Sequence, residues 1–90
     1  MEFEWDEDKA KENLTKHGVS FQEAMTVFDD PLHETVYDGS HSDSEVRERT
    51  IGYSASNRLV VVSHTNRGEK MRLISARPPT RTERETYERG

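Results

Sequence analysis

The sequence predicts one small α+β domain spanning residues 1–90, built on an antiparallel sheet with two N-terminal helices on one face and a short C-terminal helix. Two amphipathic segments with helix-capping residues lie in the first third of the chain. Three strand candidates follow one another in the second half of the chain, separated by short turns, as in a β-meander. A third set of capping residues follows Pro78-Pro79 and predicts the last helix.

The N-terminus predicts a strand and then a helix. Phe3 and Trp5 alternate with acidic residues, which is typical of a short strand with one solvated face. Asp6 is suited to an N-cap, and the acidic residues after it favour the positive end of the helix dipole. We expect this helix to span Glu7–His17 and to end at Gly18, which accepts the left-handed conformation of a C-terminal cap.

A second helix begins after Ser20, which forms a capping box with Glu23. Its apolar side chains continue to Phe28, and Asp29-Asp30-Pro31 ends it. Residues 32–45 are polar and rich in turn residues, so they predict a loop with a short strand near Glu34–Tyr37. The meander strands that follow are Val46–Tyr53, Arg58–His64 and Lys70–Arg77.

The turn lengths predict which side chains share a face of the sheet. An evenly closed Ser54–Asn57 loop pairs Tyr53 with Arg58, and the second turn pairs His64 with Lys70. This register gathers basic groups on one open face: Arg47, Arg49, His64, Lys70 and Arg72. The helices then cover the opposite face, formed by Gly52, Leu59, Val61, Met71 and Leu73. A slip of one residue in either hairpin would exchange the two faces.

The charge is divided unevenly between the two halves. Residues 1–45 contain 13 acidic and 3 basic side chains, whereas residues 46–90 contain 5 acidic and 10 basic ones, nine of them Arg. A basic half within an acidic protein predicts a localised anion site, since the guanidinium group matches phosphate and carboxylate geometry. The chain has no Cys and no His cluster at zinc-ligand spacing, so we expect neither a metal nor another cofactor.

Such a basic face suits RNA cleavage without a metal ion. Arg side chains would stabilise charge on the scissile phosphate. An unperturbed His64 side chain would have a pKa near neutrality and would share in proton transfer, with Glu48 and Glu69 as the acidic alternatives. Tyr53 would stack on a base. Alternation along the last strand places Arg77 with Leu73 on the helix-covered face, and either sheet twist or a bulge near Ser75 would redirect it to the basic face.

The sequence also resembles the BrnT toxins of type II toxin–antitoxin systems. Five segments carry the resemblance along nearly the whole chain: residues 3–6, 16–21, 27–31, 64–68, and 74–77 with 81–84. The resemblance implies a RelE-like fold and a ribonuclease that halts translation. It also implies neutralisation by a BrnA antitoxin with a ribbon-helix-helix domain. In such a complex the antitoxin, and not the toxin, would contact operator DNA.

The resemblance places the family's basic sheet residues at Arg49 and Arg77, and its turn motif at His64 and Arg67. We therefore predict Arg49, His64 and Arg77 as catalytic residues. The candidate RNA-binding residues are Arg47, Tyr53, Arg67, Arg72 and Arg81.

Two other functions remain open on sequence grounds. A non-catalytic module would use the Arg face to dock an acidic partner segment. Direct DNA binding is disfavoured by the net charge of −5 and by the absence of a basic recognition helix. We expect a cytoplasmic protein with no membrane contact, because no apolar run approaches the ~20 residues of a membrane span.

Overall fold

A computed structural model of the chain describes residues 1–39 and 46–90. The part of the predicted loop at residues 40–45, which includes His41, lies outside this description. The elements in chain order are β1 (Glu2–Glu4), α1 (Glu7–His17), α2 (Phe21–Thr26), a 3₁₀ helix (Val27–Asp29), β2 (Glu34–Asp38), β3 (Arg47–Tyr53), β4 (Leu59–Arg67), β5 (Lys70–Arg77) and α3 (Arg81–Arg89). Within the described residues no helix is long and apolar enough to span a membrane.

The capping residues determine where the N-terminal helices begin. The Asp6 carboxylate accepts hydrogen bonds from the backbone N–H groups of Asp8 and Lys9, and Gly18 ends α1 with a φ of 72°. The predicted bounds of α1 are therefore confirmed. The Ser20 hydroxyl accepts from the N–H of Glu23 and opens α2. The second helix is shorter than predicted, since its last turn tightens into the 3₁₀ helix.

The five strands form one sheet in the order β1-β5-β4-β3-β2. The prediction of a purely antiparallel sheet is wrong, because β1 pairs in parallel with β5. The chain leaves β1 through the helices and returns through the meander, so β5 runs beside β1 in the same direction. The short strand expected within the loop is present as β2, which pairs with β3 at the opposite edge.

The predicted register of the first hairpin is wrong by one residue. Tyr53 pairs with Leu59 rather than with Arg58, and Arg49 pairs with Ser63. The loop therefore has one more residue than expected, and Asn57 within it adopts a left-handed φ of 61°. Arg58 turns out of the sheet to Glu23, whose carboxylate accepts from it at 2.7 and 2.8 Å.

This shift exchanges the faces of β4. Val60, Val62 and His64 lie on the helix-covered face, whereas Val61 lies on the face that carries Arg49. The predicted grouping of His64 with the basic residues is therefore wrong. The second hairpin also differs, because Arg67 rather than His64 pairs with Lys70.

A β-bulge lies between β4 and β5 and changes the direction of the last strand's side chains. Ser63 pairs with Ser75 while His64 pairs with Leu73, so Ile74 is the extra residue. The bulge shifts the alternation by one position, and Arg77 then pairs with Val61 on the face of Arg49. Of the two features considered from the sequence for redirecting Arg77, sheet twist and a bulge near Ser75, the structure has the bulge.

The helices lie on both faces of the sheet, which differs from the predicted arrangement. On one face α1 and α2 pack against β5, and the 3₁₀ helix packs against β3. The core between them is formed by Val19, Phe21, Ala24, Val27, Val60, Val62, Met71, Leu73 and Ala76. On the other face α3 folds back over Ile51 and Val61. The basic face is therefore partly covered by α3, whereas the sequence predicted that it would be open.

One buried polar side chain joins the helical layer to β5. The Asn13 amide nitrogen donates to the carbonyl groups of Val19 at 2.9 Å and Ala76 at 2.8 Å. Its carbonyl oxygen accepts from the N–H of Ala76 at 3.0 Å. Because β1 pairs with β5 only at residues 70–72, Asn13 supplies the hydrogen bonds that a neighbouring strand would have given Ala76.

Candidate active site

Two guanidinium groups and one carboxylate meet where α3 folds over the sheet. Arg77 donates through Nη1 to Glu83 Oε1 at 2.7 Å and through Nη2 to Oε2 at 3.0 Å. Arg49 donates through Nη1 to the same Oε2 at 3.4 Å. Glu83 thus bridges the two arginines that the sequence resemblance selected. We call these three residues the Arg49–Glu83–Arg77 cluster.

Local structure places each member of the cluster. Arg49 and Arg77 share a face because of the hairpin register and the β-bulge. Pro78 and Pro79 end β5, and Thr80 caps α3. The Thr80 hydroxyl accepts from the N–H of Glu83, while Glu83 Oε1 accepts from the N–H of Thr80 at 2.8 Å. This capping box holds Glu83 in the first turn of α3, directed back to the sheet.

The cluster is strongly coupled electrostatically. Hydrogen bonds from Arg77, together with the charge of that residue and the cap at Thr80, lower the pKa of Glu83 to about 2 against the opposing effect of burial. The hydrogen bonds to Glu83 raise the pKa of Arg77. Glu83 and Arg77 are therefore both charged at neutral pH. Carboxylate and phosphate groups both accept hydrogen bonds from a guanidinium fork in bidentate geometry, so the cluster has the chemistry of an oxyanion site.

Arg49 and Arg72 on this face have further acidic partners. Asp38 Oδ2 lies 3.7 Å from Arg49 Nε. Arg72 donates to Glu4 of β1 at 3.0 Å, and this pair forms across the parallel strands that the sequence did not predict. Arg47 pairs in the sheet with Asp38 and Thr65, one row beyond Arg49. Arg49 and Arg72 are thus each paired with acidic side chains, and an anionic ligand at either residue must compete with these carboxylates.

A second polar contact holds the other end of α3. The Tyr87 hydroxyl lies 2.9 Å from Asp30 Oδ2 and 3.1 Å from the carbonyl oxygen of Leu32, and it can donate its hydrogen bond to either oxygen. Burial, followed by the hydrogen bond to Asp30, raises the pKa of Tyr87 to about 12. Asp30 also accepts from the N–H of Tyr53 at 2.8 Å. No residue of α3 is fully buried, so these polar contacts position the helix.

The remaining predicted RNA-binding residues are dispersed. Tyr53 is 38% exposed, and its ring lies edge-on to that of Tyr87 with centroids 6.1 Å apart. Arg67 lies four residues along β4 from Ser63, roughly 13 Å from the row of Arg49. Arg81 is 93% exposed and pairs with Glu85 on the surface of α3. Of this predicted set, Tyr53 and Arg47 lie nearest to the cluster in the sheet register.

His64 is separated from the cluster by the sheet. It is 1% exposed, and its Nε2 lies 2.7 Å from the Thr50 hydroxyl, which in turn contacts the Thr35 hydroxyl at 2.7 Å. Its ring packs edge-on against Phe28. Burial lowers the pKa of His64 to about 4, so the imidazole is neutral at pH 7. This position favours a structural role, and the catalytic assignment of His64 stays a sequence-based prediction.

Acidification is expected to destabilise the protein through His64. Its pKa falls from 6.5 to about 4 on folding, so between these values the unfolded chain binds the proton first. The free energy of unfolding therefore decreases as pH falls through this window, by about 3 kcal/mol over its full range. Urea unfolding of the wild type and of His64→Leu at pH 7 and pH 5 measures this dependence. A wild-type loss no larger than that of His64→Leu would contradict the assignment.

Sequence reasoning missed three residues of this region, Glu83, Tyr87 and Asp30. The capping residues after Pro78-Pro79 gave a signal for Glu83 at the start of a helix, but no local pattern connects its carboxylate with Arg77 or Arg49. Tyr87 and Asp30 lie 57 positions apart, so no local pattern connects them. The Asp29-Asp30-Pro31 sequence indicated only the end of a helix.

The chain was compared with known families and structures. Residues 5–83 match the family model described as "Ribonuclease toxin, BrnT, of type II toxin-antitoxin system". The structure is similar to the 1.1 Å crystal structure of the Brucella abortus ribonuclease toxin BrnT, with a TM-score of 0.68 and 23% sequence identity. That similarity covers 90% of this chain and 99% of the Brucella chain. No curated protein sequence matches the chain.

Proposed function

Because this chain belongs to the BrnT family of ribonuclease toxins from type II toxin–antitoxin systems, we propose that it cleaves RNA without a metal ion and thereby inhibits translation. The single observation that supports this most strongly is the Arg49–Glu83–Arg77 cluster. Two guanidinium groups converge there on one bidentate anion site. In the RNA complex a phosphate group replaces the Glu83 carboxylate.

The reaction proposed is transfer of the phosphodiester to the neighbouring 2′-hydroxyl. The 2′-hydroxyl loses its proton to solvent as its oxygen attacks phosphorus, and the bond to the 5′-oxygen breaks. The departing 5′-oxygen takes a proton from solvent, so the products are a 2′,3′-cyclic phosphate and a 5′-hydroxyl. Negative charge accumulates on the non-bridging oxygens in the transition state. Arg49 and Arg77 stabilise this charge from positions fixed before RNA arrives, which avoids reorganisation during the reaction. Glu83 keeps the two side chains in place until phosphate displaces it.

The proposed partner is a BrnA-type antitoxin with a ribbon-helix-helix domain, which neutralises the toxin and supplies any contact with operator DNA. Membership in a type II toxin family implies a protein antitoxin. An acidic segment of such a partner would compete for the same guanidinium groups, since the cluster already holds a carboxylate of its own chain.

That same carboxylate also favours the alternative function, a non-catalytic module that docks an acidic partner. In this case the arginines contribute binding energy alone. Partner affinity then falls with each Arg removed and with added salt, and purified protein leaves RNA intact. Measurements of RNA cleavage and of partner binding on the same variants separate the two functions.

Purified protein is expected to cleave RNA in EDTA at the rate seen with Mg²⁺. The physical reason is that the arginine pair supplies the positive charge that a metal ion would otherwise supply. End-group analysis of the fragments should detect 2′,3′-cyclic phosphate and 5′-hydroxyl termini. Loss of cleavage in EDTA with recovery in Mg²⁺, or fragments with 5′-phosphate ends, would refute this mechanism.

A further inference from the structure

A cavity lies between α3 and the sheet directly beside the arginine pair. Its volume is about 210 Å³. Ile51 and Val61 of the sheet provide its apolar surface, and the Tyr87 ring stands beside them. The polar residues that line it are Glu34, Arg49, Thr82, Glu83 and Thr86. The cavity therefore combines apolar side chains with a few polar groups, which is typical of a small-molecule site.

The dimensions suit one planar ring system. An engineered cavity of about 150 Å³ binds benzene, so about 210 Å³ accommodates a larger ring such as a nucleobase. Tyr87 keeps its ring orientation through its contacts with Asp30 and Leu32, and the Tyr53 ring lies against it. Such an aromatic wall is the kind of surface on which unpaired bases pack.

Arg49 and Glu83 belong both to the cavity and to the cluster. A phosphate held by Arg49 and Arg77 would therefore lie at the mouth of the cavity. One ribose joins the phosphate of a nucleotide to its base, so both sites can be filled by adjoining parts of one RNA chain. We propose, on the basis of the function proposed above, that this cavity binds the base next to the scissile phosphate.

Glu34 gives the cavity a chemical preference. It pairs with Ile51 in the β2–β3 register, so its side chain lies on the cavity face. A carboxylate accepts hydrogen bonds only, and its two oxygens accept from two adjacent donors. Guanine presents such donors at N1–H and the N2 amino group. Uracil presents only N3–H, and adenine and cytosine each present an amino group beside a ring nitrogen that accepts, so none of these three offers two adjacent donors. The occupant is therefore guanine.

The test maps cleavage sites in a random-sequence RNA pool and measures binding of guanosine and uridine monophosphates by calorimetry. The wild type is expected to cleave beside guanine and to bind the guanine nucleotide more tightly. Glu34→Gln should reduce both preferences by roughly tenfold. Val36→Phe, at the exposed edge of the cavity, should obstruct it and weaken nucleotide binding.

Matched controls carry the same substitutions outside the cavity. Glu85→Gln lies on the outer surface of α3, and Val46→Phe replaces an exposed residue that does not line the cavity. Both controls should behave as the wild type. Melting temperatures of all four variants identify any loss of fold.

The outcomes separate this inference from the proposed function. RNA cleavage without base preference, or a guanine preference that survives Glu34→Gln in a folded protein, overturns the guanine site and leaves the ribonuclease proposal intact. Guanine-selective nucleotide binding that Glu34→Gln removes, in a protein that cleaves no RNA, supports the site and overturns the ribonuclease proposal. Absence of both cleavage and nucleotide binding overturns both.

Discussion

Replacing either Arg49 or Arg77 by Ala is expected to lower the rate of RNA cleavage by about 10²–10³-fold, as removal of one preorganised donor from a transition-state site does. Each substitution removes one of the two guanidinium groups that converge on the Glu83 carboxylate. The loss should appear in kcat, because the transition state carries more charge on its oxygens than the bound phosphodiester does.

Folding stability should change far less than activity. Arg49 and Arg77 are partly exposed, and an ion pair in such a position contributes about 1 kcal/mol. Arg84→Ala is the matched control, since Arg84 pairs with Glu88 within α3 and stands apart from the cluster. We expect near-normal cleavage by that variant. Equal loss of cleavage in Arg84→Ala would indicate that general positive charge, rather than the cluster, determines the rate.

Replacing Asn13 by Leu is expected to reduce the free energy of unfolding by about 4 kcal/mol, since buried groups left without hydrogen bonds cost about 1–3 kcal/mol each. The backbone N–H and carbonyl groups of Ala76, and the carbonyl group of Val19, would each lose the hydrogen bond that Asn13 makes with them. Such a loss is a large fraction of the stability of a small domain. Urea unfolding of Asn13→Leu measures it.

The control for this substitution is Asn66→Leu, because Asn66 is exposed near the end of β4. Its stability should change by less than about 0.5 kcal/mol, as is usual for surface positions. A change below 1 kcal/mol in Asn13→Leu would show that water or a neighbouring group replaces the amide easily. Asn13 would then not hold β5 in place beside Arg77.

Local signals were sufficient to locate most helices and strands. Asp6 and Gly18 delimit α1 because their side-chain and backbone properties satisfy the helix ends. The strand Lys70–Arg77 is bounded by a glycine turn and by two prolines. Thr80 and Glu83 open α3 through a capping box. In each case the interactions involve residues close in sequence, so the pattern alone carries the information.

The sheet register depended on features that alternation does not encode. Residues 59–62 of β4 are all apolar and all buried, so the pattern fits either face equally well. The loop between β3 and β4, which contains the left-handed Asn57, is one residue longer than expected. The bulge at Ile74 shifts the side-chain alternation of β5 by one residue. These two single-residue changes decide that Arg49 shares its face with Arg77 and not with His64.

The candidate site could be predicted only in part for the same reason. The resemblance to BrnT toxins selected Arg49 and Arg77, and the structure brings both to Glu83. The carboxylate and the cavity arise from α3 folding back over the sheet, which requires contacts between distant residues such as Tyr87 and Asp30. Parallel pairing of β1 with β5 is equally non-local.

The central claim is that Arg49 and Arg77 together stabilise the phosphate during RNA cleavage. The most direct test is the single-turnover cleavage rate of the Arg49→Ala/Arg77→Ala double variant in EDTA at saturating RNA, where weaker binding no longer limits the rate. We predict a rate indistinguishable from that of RNA without protein, from a variant that still unfolds cooperatively. A rate within about threefold of the wild type, a barrier difference below 1 kcal/mol, would contradict the claim.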